Sequence, residues 1–196
     1  MADLPDNPAA APPAALLLAE IERLKTELME AKWQIAELEA RADVDPLTDI
    51  LNRRGFEREL ARSLAYVKRY GGAAVLVLID LDGFKAVNDS HGHATGDALL
   101  KLVAQQLTSR VRASDLVARL GGDEFAVLMW NIDETRAAAK VRELEDAIAG
   151  TSLGEGGVSV GASAGTVPLD GNLTAAAITD AADKAMYARK RERRGP

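Results

Sequence analysis

From Ala14 to Asp45 the chain holds neither proline nor glycine, and its apolar residues fall at Leu17, Ile21, Leu24, Leu28, Ala31, Ile35, Leu38 and Ala42. Steps that alternate between four and three make a heptad seam, with Ile21, Leu28, Ile35 and Ala42 at a and the other four at d. A stripe this narrow suits a partner helix better than the face of a globular core. Glu20 and Glu27 then occupy g, and Lys25 and Lys32 the following e positions of the partner. Parallel pairing is attractive at both, by about a few tenths of a kcal/mol each. The pattern predicts a dimeric coiled-coil helix over residues 16–44, ended by Pro46. Residues 1–15 hold four of the seven prolines and read as a disordered tail.

Beyond residue 45 the pattern alternates, marking a second domain over 45–196. Phe56, Leu60, Leu64 and Val67 mark a helix. Ala73 to Ile79 is an uninterrupted apolar run after a Gly-Gly pair, which predicts a buried strand. Leu99, Val103, Leu107 and Val111 mark another helix. Leu116–Leu120 and Phe125–Trp130 read as strands around a tight Gly-Gly-Asp-Glu turn. A helix through Ala137, Val141, Leu144 and Ile148, a glycine-punctuated strand from Val158 to Val167, and a helix from Ala175 to Arg191 complete the chain. Strands alternating with helices, plus one hairpin, predict an α/β fold with a mixed central sheet and flanking helices.

Composition excludes some functions. Cysteine is absent, so disulfide frameworks, thiolate metal sites and thiol nucleophiles are ruled out. The net charge of −6 argues against a protein that coats nucleic acid. The charge is uneven, however: Lys184 to Arg194 holds six basic residues against one acid. The longest purely apolar run, Ala73 to Ile79, is far too short to cross a bilayer. The start lacks the charged region of a signal peptide, so no membrane insertion and a cytoplasmic location are expected.

Two stretches carry candidate chemistry. Asp80-Leu81-Asp82-Gly83-Phe84-Lys85 follows a buried strand, at the sheet edge where open α/β folds bind ligands. Gly121-Gly122-Asp123-Glu124 puts acids at a hairpin tip. If the two strands are neighbours, Asp80 and Asp123 face each other, an arrangement that repels unless magnesium bridges it.

These residues resemble the GGDEF family, the diguanylate cyclases. Gly121-Gly122-Asp123-Glu124-Phe125 is similar to its signature. Asp45-Pro46-Leu47-Thr48 with Asn52-Arg53-Arg54 resembles its entry motif, and the run Asp80 to Asp89 its first substrate motif. Gly92-His93 with Gly96-Asp97 resembles the next, and Ala182 to Lys190 its last helix. The resemblance implies a nucleotidyl-cyclase palm-like fold and the conversion of two GTP into cyclic di-GMP and two pyrophosphates. It further implies two magnesium ions per half-site, with manganese as a substitute, held by Asp80, the Leu81 backbone and Asp123, with Glu124 beside them. Asp123 would also help deprotonate the ribose 3′-hydroxyl. Phe84 and Lys85 would meet phosphates through backbone N–H groups. Asn88 and Asp97 would read guanine, and Lys190 and Arg194 would clamp the outer phosphates.

The spacing of Arg112 and Asp115, ahead of Gly121, resembles the family's inhibitory site for cyclic di-GMP and suggests a place near the active hairpin. Arg142 or Lys140 would supply a distal cation. The implied partners are GTP, the product as feedback inhibitor, a second copy through the coiled coil, and a protein on the N-terminal helix. A catalytically inactive module that binds GTP or cyclic di-GMP is the alternative. The chain departs from the family's habit at Asp49 and Arg193, where glycine is common, and at Leu51, where proline is.

Overall fold

The computed structural model describes residues 14–154 and 157–194, with side chains described for 14–34, 43–154 and 157–191. The chain divides into two compact units, residues 1–41 and 42–196. The first holds helix α1 (Ala14–Ala42). Its seam residues Leu17, Ile21, Leu24 and Leu28 are exposed, as are Met29 and Trp33 off the seam. Glu20 and Glu27 both bind Arg23 of the same helix, at 2.5 and 2.6 Å, and Lys25 binds Glu22 at 2.9 Å. In the single chain three of the four charges expected to face a partner, Glu20, Glu27 and Lys25, are thus paired at i,i+3 and i,i+4 spacing. Most of the expected tail, residues 1–13, and the side chains of Ile35, Leu38 and Ala42 lie outside the described residues.

The second unit opens with Asp43, 3% exposed and paired with Arg54 at 2.9 Å and with Arg58. Strand β1 (Leu51–Asn52) leads directly into α2 (Arg53–Tyr70), whose N-cap Asn52 accepts from the Gly55 N–H at 3.0 Å. Then come β2 (Ala74–Asp82), α3 (Phe84–His91), α4 (His93–Arg110), β3 (Leu116–Gly121), β4 (Glu124–Trp130), α5 (Glu134–Ala149), β5 (Gly161–Pro168) and α6 (Ala175–Arg194). The five strands form one mixed sheet in the order β1-β3-β4-β2-β5, with β1 parallel to β3 and the other pairs antiparallel.

The sheet is covered on both faces. Val75, Val77, Ile79, Phe125, Val127 and Met129 pack with the apolar sides of α3, α4 and α5. The alternate residues Leu76, Leu78, Ala126 and Leu128 pack with α2 and α6. Burial on both faces is why β2 reads as continuous rather than alternating hydrophobicity.

Several elements differ from the sequence expectation. β2 runs three residues past Ile79, so Asp80 and Asp82 lie within the strand rather than after it. Helix α3 was not expected at all, and β5 starts at Gly161; Val158 makes only an isolated bridge to Leu153. Asp49 sits at φ 58, the left-handed region, which accounts for the glycine the family favours there.

Candidate active site

The antiparallel register of β2 and β4 sets Asp80 directly opposite Glu124. Asp80 was expected to face Asp123; it faces the next residue instead, because Asp123 belongs to the turn. Asp123 meets β2 through its backbone, its carbonyl accepting from the Leu81 N–H at 3.2 Å. Residue parity along β2 places Asp80, Asp82 and Glu124 on the α2/α6 side. There the Lys190 ammonium of α6 pairs with Asp80 and lies 3.9 Å from Asp82. Asp82 also accepts from the Ser163 hydroxyl at 2.8 Å.

Two arginines hold the hairpin tip in shape. Arg119 donates to the Gly122 carbonyl at 3.0 and 2.8 Å, and its other end pairs with Asp45 at 3.3 Å. Asp45 in turn accepts from the Thr48 N–H and hydroxyl at 2.9 and 2.7 Å. Partial burial by itself would raise the Asp45 carboxyl. The Thr48 bonds and the Arg119 guanidinium outweigh it and hold the group below its ordinary value. Arg53 donates to the Leu120 carbonyl at 2.9 Å and pairs with Glu124 at 3.2 Å. Gly121 at φ 147 and Gly122 at φ 50 make the turn that these arginines grip.

Gly83, at φ 82, turns the chain from β2 into α3 without a capping side chain. The first N–H groups of α3, those of Phe84 and Lys85 included, therefore open beside the strand end. On the second turn Asn88 lies against α4: a Cβ on Gly96 would come within 2.0 Å of its Oδ1. Asp97, next along α4, is exposed. Asp80, Glu124 and Lys190 thus come together on one side of the strand end, with Phe84, Lys85, Asn88 and Asp97 following on α3 and α4. The side chain of Arg194 lies outside the described residues.

Glu124 also lines a cleft of about 570 Å³ between α2 and α6, rimmed by Arg53, Glu57, Asp180 and Asp183. Among the described residues no three acidic or imidazole side chains converge on one point as a ready-made metal site. The donors at the strand end are nevertheless all oxygen, and they already hold one cation, the Lys190 ammonium. That set fits magnesium, which commonly takes one or two carboxylates and completes its shell with substrate phosphate and water.

Arg112 and Asp115 lie elsewhere than expected. Asp115 accepts from the Arg112 N–H at 3.0 Å and, through its other oxygen, from the Trp130 N–H at 3.0 Å. Trp130 ends β4, six residues from Glu124. At about 3.4 Å per residue the site stands roughly 20 Å from the acidic end of the same strand, at the opposite end of the hairpin. It opens into a separate pocket of about 370 Å³, lined by Arg110, Arg112, Asp115, Arg136 and Lys140 among others. Of the two cations expected to assist, Lys140 is present and Arg142 is not. Arg110 and Arg136 were missed, because neither lies at a spacing that singles it out. The roles of Arg119 and Asp45 were missed too, since 74 residues separate them.

The family model for the diguanylate cyclase GGDEF domain matches residues 42–196, and the chain belongs to this family. A probable diguanylate cyclase of Escherichia coli K12, DgcE, is 43% identical over 173 residues, 86% of this chain and 16% of that protein. The chain spans less than half the length of this and other curated relatives. Among solved structures, the coiled coil and GGDEF domain of DgcB from Caulobacter crescentus, in complex with c-di-GMP, matches at a TM-score of 0.77 and 26% identity. That match covers 90% of this chain and 95% of the other. The diguanylate cyclase SiaD of Pseudomonas aeruginosa, in complex with its activator SiaC, matches at 0.74 and 29%, covering 91% of this chain and 71% of the other. No helix among the described residues is long and apolar enough to cross a membrane.

Proposed function

We propose that the chain is a diguanylate cyclase, joining two GTP molecules into cyclic di-GMP and releasing two pyrophosphates. The observation that carries this reading is the register that sets Asp80 against Glu124, with Lys190 paired to Asp80, beside the open start of α3. Asn88 and Asp97 present an amide and a carboxylate to guanine, whose N1–H and exocyclic amine are donors. The N–H groups of Phe84 and Lys85 receive phosphate oxygens. Lys190, released from Asp80, and Arg194 take the outer phosphates, which puts the basic end of an acidic chain to use.

Asp80, the Leu81 carbonyl and Asp123 would hold two magnesium ions, with Glu124 adjacent. These ions would supply charge neutralisation at the transferring phosphorus and ease loss of the 3′-hydroxyl proton. Asp123 would take that proton. The 3′-oxygen of each GTP then bonds to the α-phosphorus of the other as pyrophosphate leaves, once in each direction.

One domain holds one GTP, so two copies must meet. The exposed seam of α1 supports a parallel coiled coil that raises their effective concentration, and the DgcB likeness extends over such a segment. The SiaD–SiaC pair supports a protein partner as well, which we assign to the N-terminal helix. Arg112 and Asp115 bind cyclic di-GMP as a feedback inhibitor, from a pocket too remote to compete for GTP.

The test is incubation with GTP or ATP and magnesium, followed by chromatography of the products. Cyclic di-GMP from GTP alone is expected, with Asp123→Ala slower by several powers of ten yet equally well folded. Product from ATP as readily as from GTP, or Asp123→Ala within tenfold of wild type, would falsify the assignment.

A further inference from the structure

Two contacts seat α6 on the edge strand β5. At Gly165 the backbones nearly touch: a Cβ there would lie 2.1 Å from the Met186 nitrogen and 2.4 Å from the Ala182 oxygen. The second contact uses Glu145 of α5, which packs on the other face of the sheet and is 3% exposed. One of its oxygens accepts from the Ala164 N–H at 3.0 Å, on the side of β5 turned away from β2. The other accepts from Arg189 of α6 at 3.2 Å. This carboxylate therefore reaches round the edge of the sheet and ties one helical layer to the other.

Burying the Glu145 carboxylate costs much of what its pairing gains, so its presence is better explained by the geometry it fixes. Neighbouring helical residues point about 100° apart. With Arg189 drawn over the outer edge of β5, Lys190 is turned inward, toward the end of β2. We propose that Glu145 and Arg189 are positioning residues that fix the rotation of the last turns of α6, so that Lys190 stands over Asp80 and favours a nucleoside triphosphate over a monophosphate. The consequence for nucleotide choice rests on the cyclase reading; the positioning itself does not.

Two measurements on the full chain separate these points. The first is the rate at which an amine acylating reagent labels Lys190, read by mass spectrometry against the exposed Lys184. The second is the affinity for a non-hydrolysable methylene analogue of GTP relative to GMP. In Arg189→Gln, a change at a partly exposed residue, Lys190 labelling should rise about threefold to tenfold while Lys184 stays constant. The preference for the triphosphate analogue should fall by a similar factor with GMP affinity unchanged. Glu145→Gln keeps an acceptor for Ala164 but loses the charge, and should behave alike. The double variant should be no worse than either single one, as expected of residues acting as a unit.

Unchanged Lys190 labelling in Arg189→Gln overturns the proposal whatever the nucleotides do. Should Glu145→Gln fail to fold, Arg189→Gln decides alone. If labelling rises while wild type shows no preference for the triphosphate, the positioning holds and the nucleotide reading fails.

Discussion

Gly96→Ala separates substrate recognition from folding. Alanine in the interior of α4 should stabilise the helix by about 0.8–1.0 kcal/mol relative to glycine. The new Cβ would lie 2.0 Å from Asn88 Oδ1, 3.0 Å from its Cγ and 3.2 Å from Phe84 Cζ. Ordinary contact between carbon and oxygen is more than an ångström longer than the first of these. The Asn88 amide is the end of a side chain and can rotate away, at about 0.5–1.5 kcal/mol for a poorer rotamer. The two effects nearly cancel, and stability should stay within about 1 kcal/mol of wild type. The guanine edge loses its amide partner, and a hydrogen bond left unmade costs about 1–3 kcal/mol. We expect the KM for GTP to rise roughly tenfold or more, with kcat changed far less. Urea melts and initial rates, measured beside Asn88→Ala, check both halves. The double variant should resemble Asn88→Ala alone. A Gly96→Ala protein with the wild-type KM and ordinary stability would refute the placing of Asn88 against the base.

Asp45→Asn should lower stability at neutral pH by about 1–2 kcal/mol, since it discharges the partner of Arg119. The folded-state value of Asp45 is depressed, so its contribution is present above the unfolded value near ~3.9 and is lost as pH falls through the lower folded one. The gap between variant and wild type should therefore close on acidification; a gap that persists in strong acid refutes the pairing. Removing residues 1–42 should give a monomer at low micromolar concentration, with turnover that recovers partly as protein is added. Sedimentation showing an undiminished dimer would take α1 out of the mechanism. Arg112→Ala should leave initial rates nearly intact and abolish the late flattening of progress curves; equal inhibition of both proteins by added cyclic di-GMP would move the inhibitory site elsewhere.

Much of the site was legible because its residues are local in sequence. The strand–Asp80–Gly83–Phe84 run and the Gly121–Glu124 turn each bring their chemistry with them, and β2 announces itself by burial on both faces. Helix α3 did not, because eight residues span barely two turns and Gly83 before it reads as a simple turn. The clamp from Thr48 through Asp45 and Arg119 to Gly122 joins residues distant in the chain, and only the parallel pairing of β1 with β3 brings them together. The place of Arg112 was misjudged because five residues of spacing sound close, whereas an extended strand carries them the length of the sheet. Asp49 was legible only as a departure from the family's habitual glycine; its left-handed backbone is seen in the structure alone.

The flanks of the sheet bear on how this protein meets other strands. One outer strand, β1, is only two residues long and passes at once into a helix. The other, β5, has its outward Ala164 N–H taken by Glu145 and is overlaid by α6. Both features limit the backbone groups that the flanks offer to another strand, the usual opening for aggregation. For a protein whose proposed chemistry requires repeated encounters with its own copy, that closure matters. Two molecules can be held close for long periods without growing into one continuous sheet.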